Sequence, residues 1–186
     1  MKLSETPKLP PSILLYGRPG TAKTALVETL GSRLELLDCD AGSETGASLR
    51  DCHYDKRREV DVQVFRDIDP SRPTAFTSVK RRVLEISNLC QQKKYPNQAL
   101  CIDSLSSLSK SSLWTILANS GFSLGQNPQI QHWGLAISEI DQLMTLFRSL
   151  PIVTILIAHT QINDLIDEAT GKKADFVSIS VYGKNL

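Results

Sequence analysis

The stretch Ser12-Ile13-Leu14-Leu15-Tyr16-Gly17-Arg18-Pro19-Gly20-Thr21-Ala22-Lys23-Thr24 decides the reading of this chain. Residues 12–16 are an apolar run that stops at a glycine, as a buried strand does. From residue 24 to 33 the spacing of Ala25, Leu26, Leu30 and Leu34 predicts a helix. A strand, a glycine-bearing loop and Lys-Thr at a helix start follow the pattern G-x-x-x-x-G-K-[ST]. The chemistry explains the residue types. Backbone N–H groups must wrap a run of phosphates, so bulky side chains are excluded, and the helix start adds partial positive charge. Lys23 is placed to reach the β- and γ-phosphates, and Thr24 to offer its hydroxyl to Mg²⁺. Ala22 departs from the pattern, standing where the second glycine is expected. At positive φ an alanine there costs on the order of 1 kcal/mol or more; in a helical conformation it costs little. The competing reading, a Gly-Pro turn feeding an ordinary helix, gives Lys-Thr no structural reason.

Working outward, further apolar runs lie at 34–39, 99–103 and 152–158, and the last is the most apolar. Residues 60–65 alternate with a period of two and predict another strand. Residues 74–91 carry Phe76, Val79, Val83, Leu84, Ile86 and Leu89 at helical spacing. Residues 134–149 do the same with Ile137, Ile140, Leu143, Met144 and Phe147. Residues 41–54 and 69–73 read as loop and turn. Residues 104–132, rich in Ser, Asn, Gly and Gln, read as a largely mobile stretch with a short helix at 113–118. Residues 160–175 read as a second loop, and 176–181 as a last strand. Strands alternating with helices predict an α/β fold: three layers, α/β/α, around a mostly parallel central sheet. A polar arm at 1–11 precedes one domain at 12–186.

Sites in such sheets collect at the carboxyl ends of the strands. Asp103 closes an apolar strand, where an acid holds Mg²⁺, often through water; it could also be a helix cap or turn residue. Asp38 and Asp40 end the second strand and would share a face if that strand continues. An acid there orients or deprotonates attacking water, unless both belong to a solvated turn. Asp40 lies furthest along and is the better candidate. His159, after the central strand, can sense a γ-phosphate or simply be a satisfied strand-end histidine.

Composition excludes several classes. The 186 residues fit one globular domain, and 41% hydrophobic with 22% charged is ordinary. A net charge of +1 sets up no global field toward nucleic acid or membrane. No apolar run approaches the roughly 20 residues that span a bilayer, and the first residues lack a signal-peptide core. A cytoplasmic protein with no membrane partner is expected. Cys39 and Cys101 sit in apolar runs as small hydrophobes. Cys52-His53 has no second pair at zinc spacing, so those two are not expected to ligate a metal.

Together, G-R-P-G-T-A-K-T, L-L-D-C-D, A-L-C-I-D-S-L, H-W-G-L-A-I-S-E-I-D-Q-L and S-L-P-I-V-T-I-L-I-A-H-T resemble the RecA-like P-loop ATPases over residues 12–186. Phage and prophage ATP-binding proteins of the AAA-domain type, a group that includes single-strand-annealing recombinases, look nearest. The resemblance implies ATP and Mg²⁺ as cofactors, with Gly17, Arg18, Pro19, Gly20, Thr21, Ala22, Lys23 and Thr24 around the nucleotide. It implies Thr24 and Asp103 at the metal, and Lys23, Asp40, Asp103 and His159 as the catalytic set. In RecA the residue matching Asp40 is a glutamate, so the shorter side chain and Ala22 imply slow hydrolysis. A homo-oligomer acting on single-stranded DNA in recombination or annealing follows, in a bacterial or phage-infected cell. The alternatives are a nucleotide-dependent assembly or DNA-binding module with little hydrolysis, and a helicase-like motor.

DNA contacts are expected on the loops at 104–132, with Lys110, Trp114 and Phe122, and at 160–175, with Lys172 and Lys173. Trp114 could equally pack in the core. The runs at 56–58 and 80–82 are binding patches or solvated faces. Arg148, Lys172 and Lys173 are the cations that could reach a neighbouring subunit's site.

Overall fold

The computed structural model describes residues 10–29, 33–40, 60–122, 126–166 and 173–179. In chain order these form β1 (Ser12–Gly17), α1 (Lys23–Glu28), β2 (Leu34–Asp38), β3 (Val60–Val64), α2 (Ala75–Gln91), β4 (Ala99–Asp103), α3 (Leu105–Asn119), α4 (Ile130–Arg148), β5 (Val153–Ile166) and β6 (Lys173–Ile179). The first five strands make a parallel sheet in the order β1-β5-β4-β2-β3. The far half of β5 pairs antiparallel with β6. The predicted α/β class is the observed one.

Strands β2 and β4 are buried at every position, because both faces of the central sheet are covered. Alternation divides their side chains. Leu34, Leu36, Ala99, Cys101, Ile155 and Ile157 pack with Val27 of α1. Leu37, Leu100 and Ile102 pack with Phe76, Val79, Val83 and Ile86 of α2, Leu108 of α3, and Leu143 and Phe147 of α4. Each such large side chain contributes roughly 1.5–3 kcal/mol by leaving water. Burial on both faces fails at β1, where Leu14 is 44% and Tyr16 62% exposed. That strand ends the order, beyond the helices that cover the centre.

Long-range contacts revise several sequence expectations. Residues 104–132 are mostly helix rather than mobile loop. Ser104 caps α3 by accepting from the Ser107 N–H. Serines that read as loop formers are interior residues: Ser109, Ser111 and Ser112 are all buried. Ser112 donates to the Ala136 carbonyl of α4, and Ser111 donates to Asp67. Small side chains let α3 and α4 approach, and tertiary bonds override a middling helix propensity. Gly121, at φ +72°, turns the chain out of α3. The buried His132 ring accepts from the Gln129 N–H, so α4 starts four residues before the expected 134. Lys110 and Trp114 therefore lie on a helix, with the ammonium 4.7 Å from the indole centroid.

The expected loop at 160–175 is largely strand. Residues Thr160–Ile166 pair with Lys173–Ile179, so β6 starts earlier than the predicted 176. Lys173 opens β6, and Lys172 lies outside the described residues, as do residues 1–9 of the arm, Cys52-His53 and the run at 56–58. Helix α1 spans six residues and ends before the predicted 33, with residues 30–32 outside the described set. Leu26, Leu84 and Ile137, expected on buried faces, are exposed.

The run Lys80-Arg81-Arg82 is divided by tertiary pairing. Arg82 makes two bonds to Glu35, at 2.7 and 3.0 Å, and Glu35 is wholly buried. Tyr95 donates to the same carboxylate at 2.9 Å. Lys80 reaches Glu139 at 2.6 Å, tying α2 to α4. Among the described residues, no helix is long and apolar enough to cross a membrane.

Candidate nucleotide site

The parallel register brings together the carboxyl ends of β1, β2 and β4 and the middle of β5, where its parallel pairing ends. Gly17 of β1 lies beside His159 of β5, and Asp38 of β2 beside Asp103 of β4. Between β1 and α1 the loop turns through Gly20, at φ +77°, and Ala22, at φ +56°. Gly20 takes that conformation freely. Ala22 does not, so the strained alternative for this position is the one observed, at about 1–2 kcal/mol. Gly17 allows close approach: a Cβ there would lie 3.1 Å from the Thr21 hydroxyl.

Lys23 folds back over this loop. Its ammonium donates to the Arg18 carbonyl at 2.8 Å and the Gly17 carbonyl at 3.1 Å. Burial lowers the lysine's pKa, with Asp103 and Asp40 opposing. Thr24 donates its hydroxyl to Asp103 Oδ2 at 2.6 Å. Asp103 is 2% exposed. Burial pushes its carboxyl up, against the Thr24 bond, and the negative charges of Asp40 and Asp38 push it further. A hydroxyl and a buried carboxylate in contact are the hard oxygen donors that Mg²⁺ takes. The donor set therefore fits that cation.

Strand β2 ends at Asp38, so Asp40 lies beyond it and the two acids do not act as a same-face pair. Asp40 faces α3 and β5. Ser104 and Ser107 donate to its Oδ1 at 2.7 and 2.5 Å. His159 Nε2 lies 2.9 Å from its Oδ2. Burial pushes the Asp40 carboxyl up, but the bonds from His159, Ser107 and Ser104 outweigh it and hold the pKa at about 2. An ionised Asp40 only accepts, so Nε2 carries the proton. The other ring nitrogen, Nδ1, is buried without a partner among the described residues. The His159 backbone N–H donates to Ser106 Oγ at 3.0 Å.

Asp38, 1% exposed, pairs with Arg66. Its Oδ1 also accepts from the Asp40 N–H at 3.1 Å. Burial pushes its carboxyl up, and Arg66 pulls it back.

Lys23, Thr24, Asp40, Asp103 and His159 are thus gathered in one place. That reading missed Ser104, Ser106, Ser107 and Arg66. The available signal was the serine run directly after Asp103, at a strand's carboxyl end. Arg66 had none, because its partner is set by sheet register.

An α/β fold with a phosphate-type loop beside a Thr–Asp oxygen pair defines a P-loop nucleotide-binding domain. The chain belongs to the AAA domain family, whose model matches residues 9–185. In fold it is similar to a prototypical ATPase from the type III secretion system of pathogenic bacteria, with 15% identity and a TM-score of 0.58 over 81% of this chain. This chain spans 45% of that ATPase. No curated protein matches the sequence.

Proposed function

We propose that this domain binds ATP with Mg²⁺ and hydrolyses it slowly, as the motor or switch of a homo-oligomer working on single-stranded DNA in recombination or annealing. The observation that carries the nucleotide reading is the Thr24–Asp103 hydrogen bond beside Lys23. Lys23, with no carboxylate in bonding contact among the described residues, exchanges its two loop carbonyls for the β- and γ-phosphate oxygens. Backbone N–H groups of the loop at 17–24, Pro19 excepted, hold the remaining phosphate oxygens. Mg²⁺, held by Thr24 and Asp103, would supply charge neutralisation across the phosphates.

Asp40 is a weak base at about 2, far from the neutral range that suits proton abstraction. Its role is orientation. A carboxylate has about four acceptor sites, and three are used by Ser104, Ser107 and His159. The fourth can take a hydrogen bond from the attacking water and aim it.

The DNA role rests on the resemblance to RecA-like recombination ATPases, as does oligomerisation. Phosphate release with and without single-stranded DNA tests it. Release should rise with DNA, and DNA binding should weaken as salt rises. No response to DNA overturns this part alone. Lys23→Ala should weaken ATP binding by about a hundredfold or more; unchanged binding overturns the nucleotide reading.

A second reading is a nucleotide-dependent assembly module with little turnover. Ala22 at φ +56° and the low basicity of Asp40 favour it. Nucleotide-dependent change in solution mass without phosphate release would decide for it.

A further inference from the structure

The pair Asp38–Arg66 lies outside the phosphate loop and has no role in the reading above. We infer that Asp38 and Arg66 are positioning residues that set where Asp40 stands. This inference rests on Asp40 being the group that aims the water.

The geometry is a chain of three links. Arg66, just past β3, donates through Nη2 to Asp38 Oδ2. Asp38 Oδ1 accepts the backbone N–H of Asp40 at 3.1 Å. Asp40 then turns its carboxylate to Ser104, Ser107 and His159. The last backbone bond toward β4 is from the Cys39 N–H to the Asp103 carbonyl, so Asp40 lies one residue past the ladder and, among the described residues, has no ladder partner. The Asp38 side chain does that work, two residues from its own backbone. Sheet register sets Arg66: the Phe65 N–H donates to the Asp38 carbonyl at 2.7 Å, extending the β2–β3 ladder to the residue before Arg66.

Fold stability does not explain the pair. Asp38 is 1% exposed, and Arg66 Nε is buried with no partner among the described residues. Desolvating such a pair costs several kcal/mol, and apolar residues of similar volume often do as well or better. With Asp38 buried and the Arg66 side chain 26% exposed, the pair beside a site group instead fixes geometry, and displacement of a reacting group by about 1 Å costs about a hundredfold in rate.

The test uses the full chain with Asp38→Leu and Arg66→Met together, which removes both charges and keeps the volume. Three readouts are compared: Asp40 amide hydrogen exchange, affinity for a fluorescent ATP analogue with Mg²⁺, and kcat with Asp40 present or replaced by Asn. Exchange at the Asp40 amide should quicken by about tenfold or more, with nucleotide affinity within about threefold. kcat should fall by about 10- to 100-fold when Asp40 is present, and by less than about twofold in the Asp40→Asn background. Equal losses in both backgrounds overturn the inference, since a structural defect would not depend on Asp40. Unchanged amide exchange overturns it also. If Asp40→Asn alone leaves kcat unchanged, the water-aiming reading falls, and amide exchange still judges whether Asp38 holds Asp40. Should the double variant not fold, Arg66→Gln, which keeps a donor to Asp38 without the charge, is read by the same comparison.

Discussion

The Thr24 hydroxyl donates to Asp103 across 2.6 Å, joining the start of α1 to the end of β4. Strand β5 lies between β1, which leads into α1, and β4, which carries Asp103. The bond therefore depends on the register of β1 with β5 and of β5 with β4. Thr24→Val keeps the shape and removes the donor. It leaves a buried carboxylate oxygen without its partner, which costs about 1–3 kcal/mol. ATP binding should lose its Mg²⁺ dependence while metal-free binding changes little. Titrating the variant with ATP in Mg²⁺ and in chelator checks this; an unchanged Mg²⁺ effect would place the metal elsewhere.

Ala22 sits at φ +56° and opens α1. Ala22→Gly relieves roughly 1–2 kcal/mol of strain. It also frees the unfolded chain, which takes back about 0.4–1 kcal/mol. The variant should be more stable by about 0.5–1 kcal/mol, with faster turnover if the strain limits the loop. Urea unfolding reads the sign, and a destabilised glycine variant would contradict the conformation.

Asp40 predicts a pH dependence. Burial pushes its carboxyl up, and the bonds from His159, Ser107 and Ser104 hold it at about 2 regardless. An unfolded aspartate titrates near 3.9. The folded value is the lower, so the contribution is complete above about pH 4 and is lost as pH falls toward about 2. It is worth about 2–3 kcal/mol at most. Asp38 and Asp103 are shifted upward and gain on acidification; the Asp40 charge adds a minor part of both shifts, so wild type gains slightly more from them than Asp40→Asn, which offsets a small part of the narrowing. The stability difference between those two proteins should narrow by about 1–2 kcal/mol from pH 5 to pH 2.5. Denaturant melts across that range measure it, and a constant difference refutes the Asp40 network.

Arg82 belongs to a run that reads as a binding patch or a solvated face, yet it holds the buried Glu35. Arg82→Ala should destabilise the domain by about 3–5 kcal/mol, because it strands a buried charge. Replacing both Glu35 and Arg82 by leucine should recover most of that loss. Arg81→Ala should stay within about 0.5 kcal/mol. Thermal unfolding of the three variants decides; a stable Arg82→Ala protein would mean the pair does not form.

Local chemistry made much of this protein legible. The runs at 34–38 and 99–103 are apolar because strands buried on both faces must be, and the loop at 17–24 is small and glycine-bearing because it must bend tightly. Asp40 and Asp103 could be picked out because polar residues directly after apolar runs fall at strand ends; His159 could be picked out the same way, although β5 runs on past it to Ile166. Only the tertiary structure decided the rest. Whether serines 104–112 make a loop or a helix depends on Asp67, Asp40 and Ala136 accepting their hydroxyls. Whether residues 160–166 make a loop or a strand depends on β6. Arg66 and Asp38 are brought together by the register of two strands. Each of these bonds joins residues of different elements, and a pattern confined to one element carries no information about them.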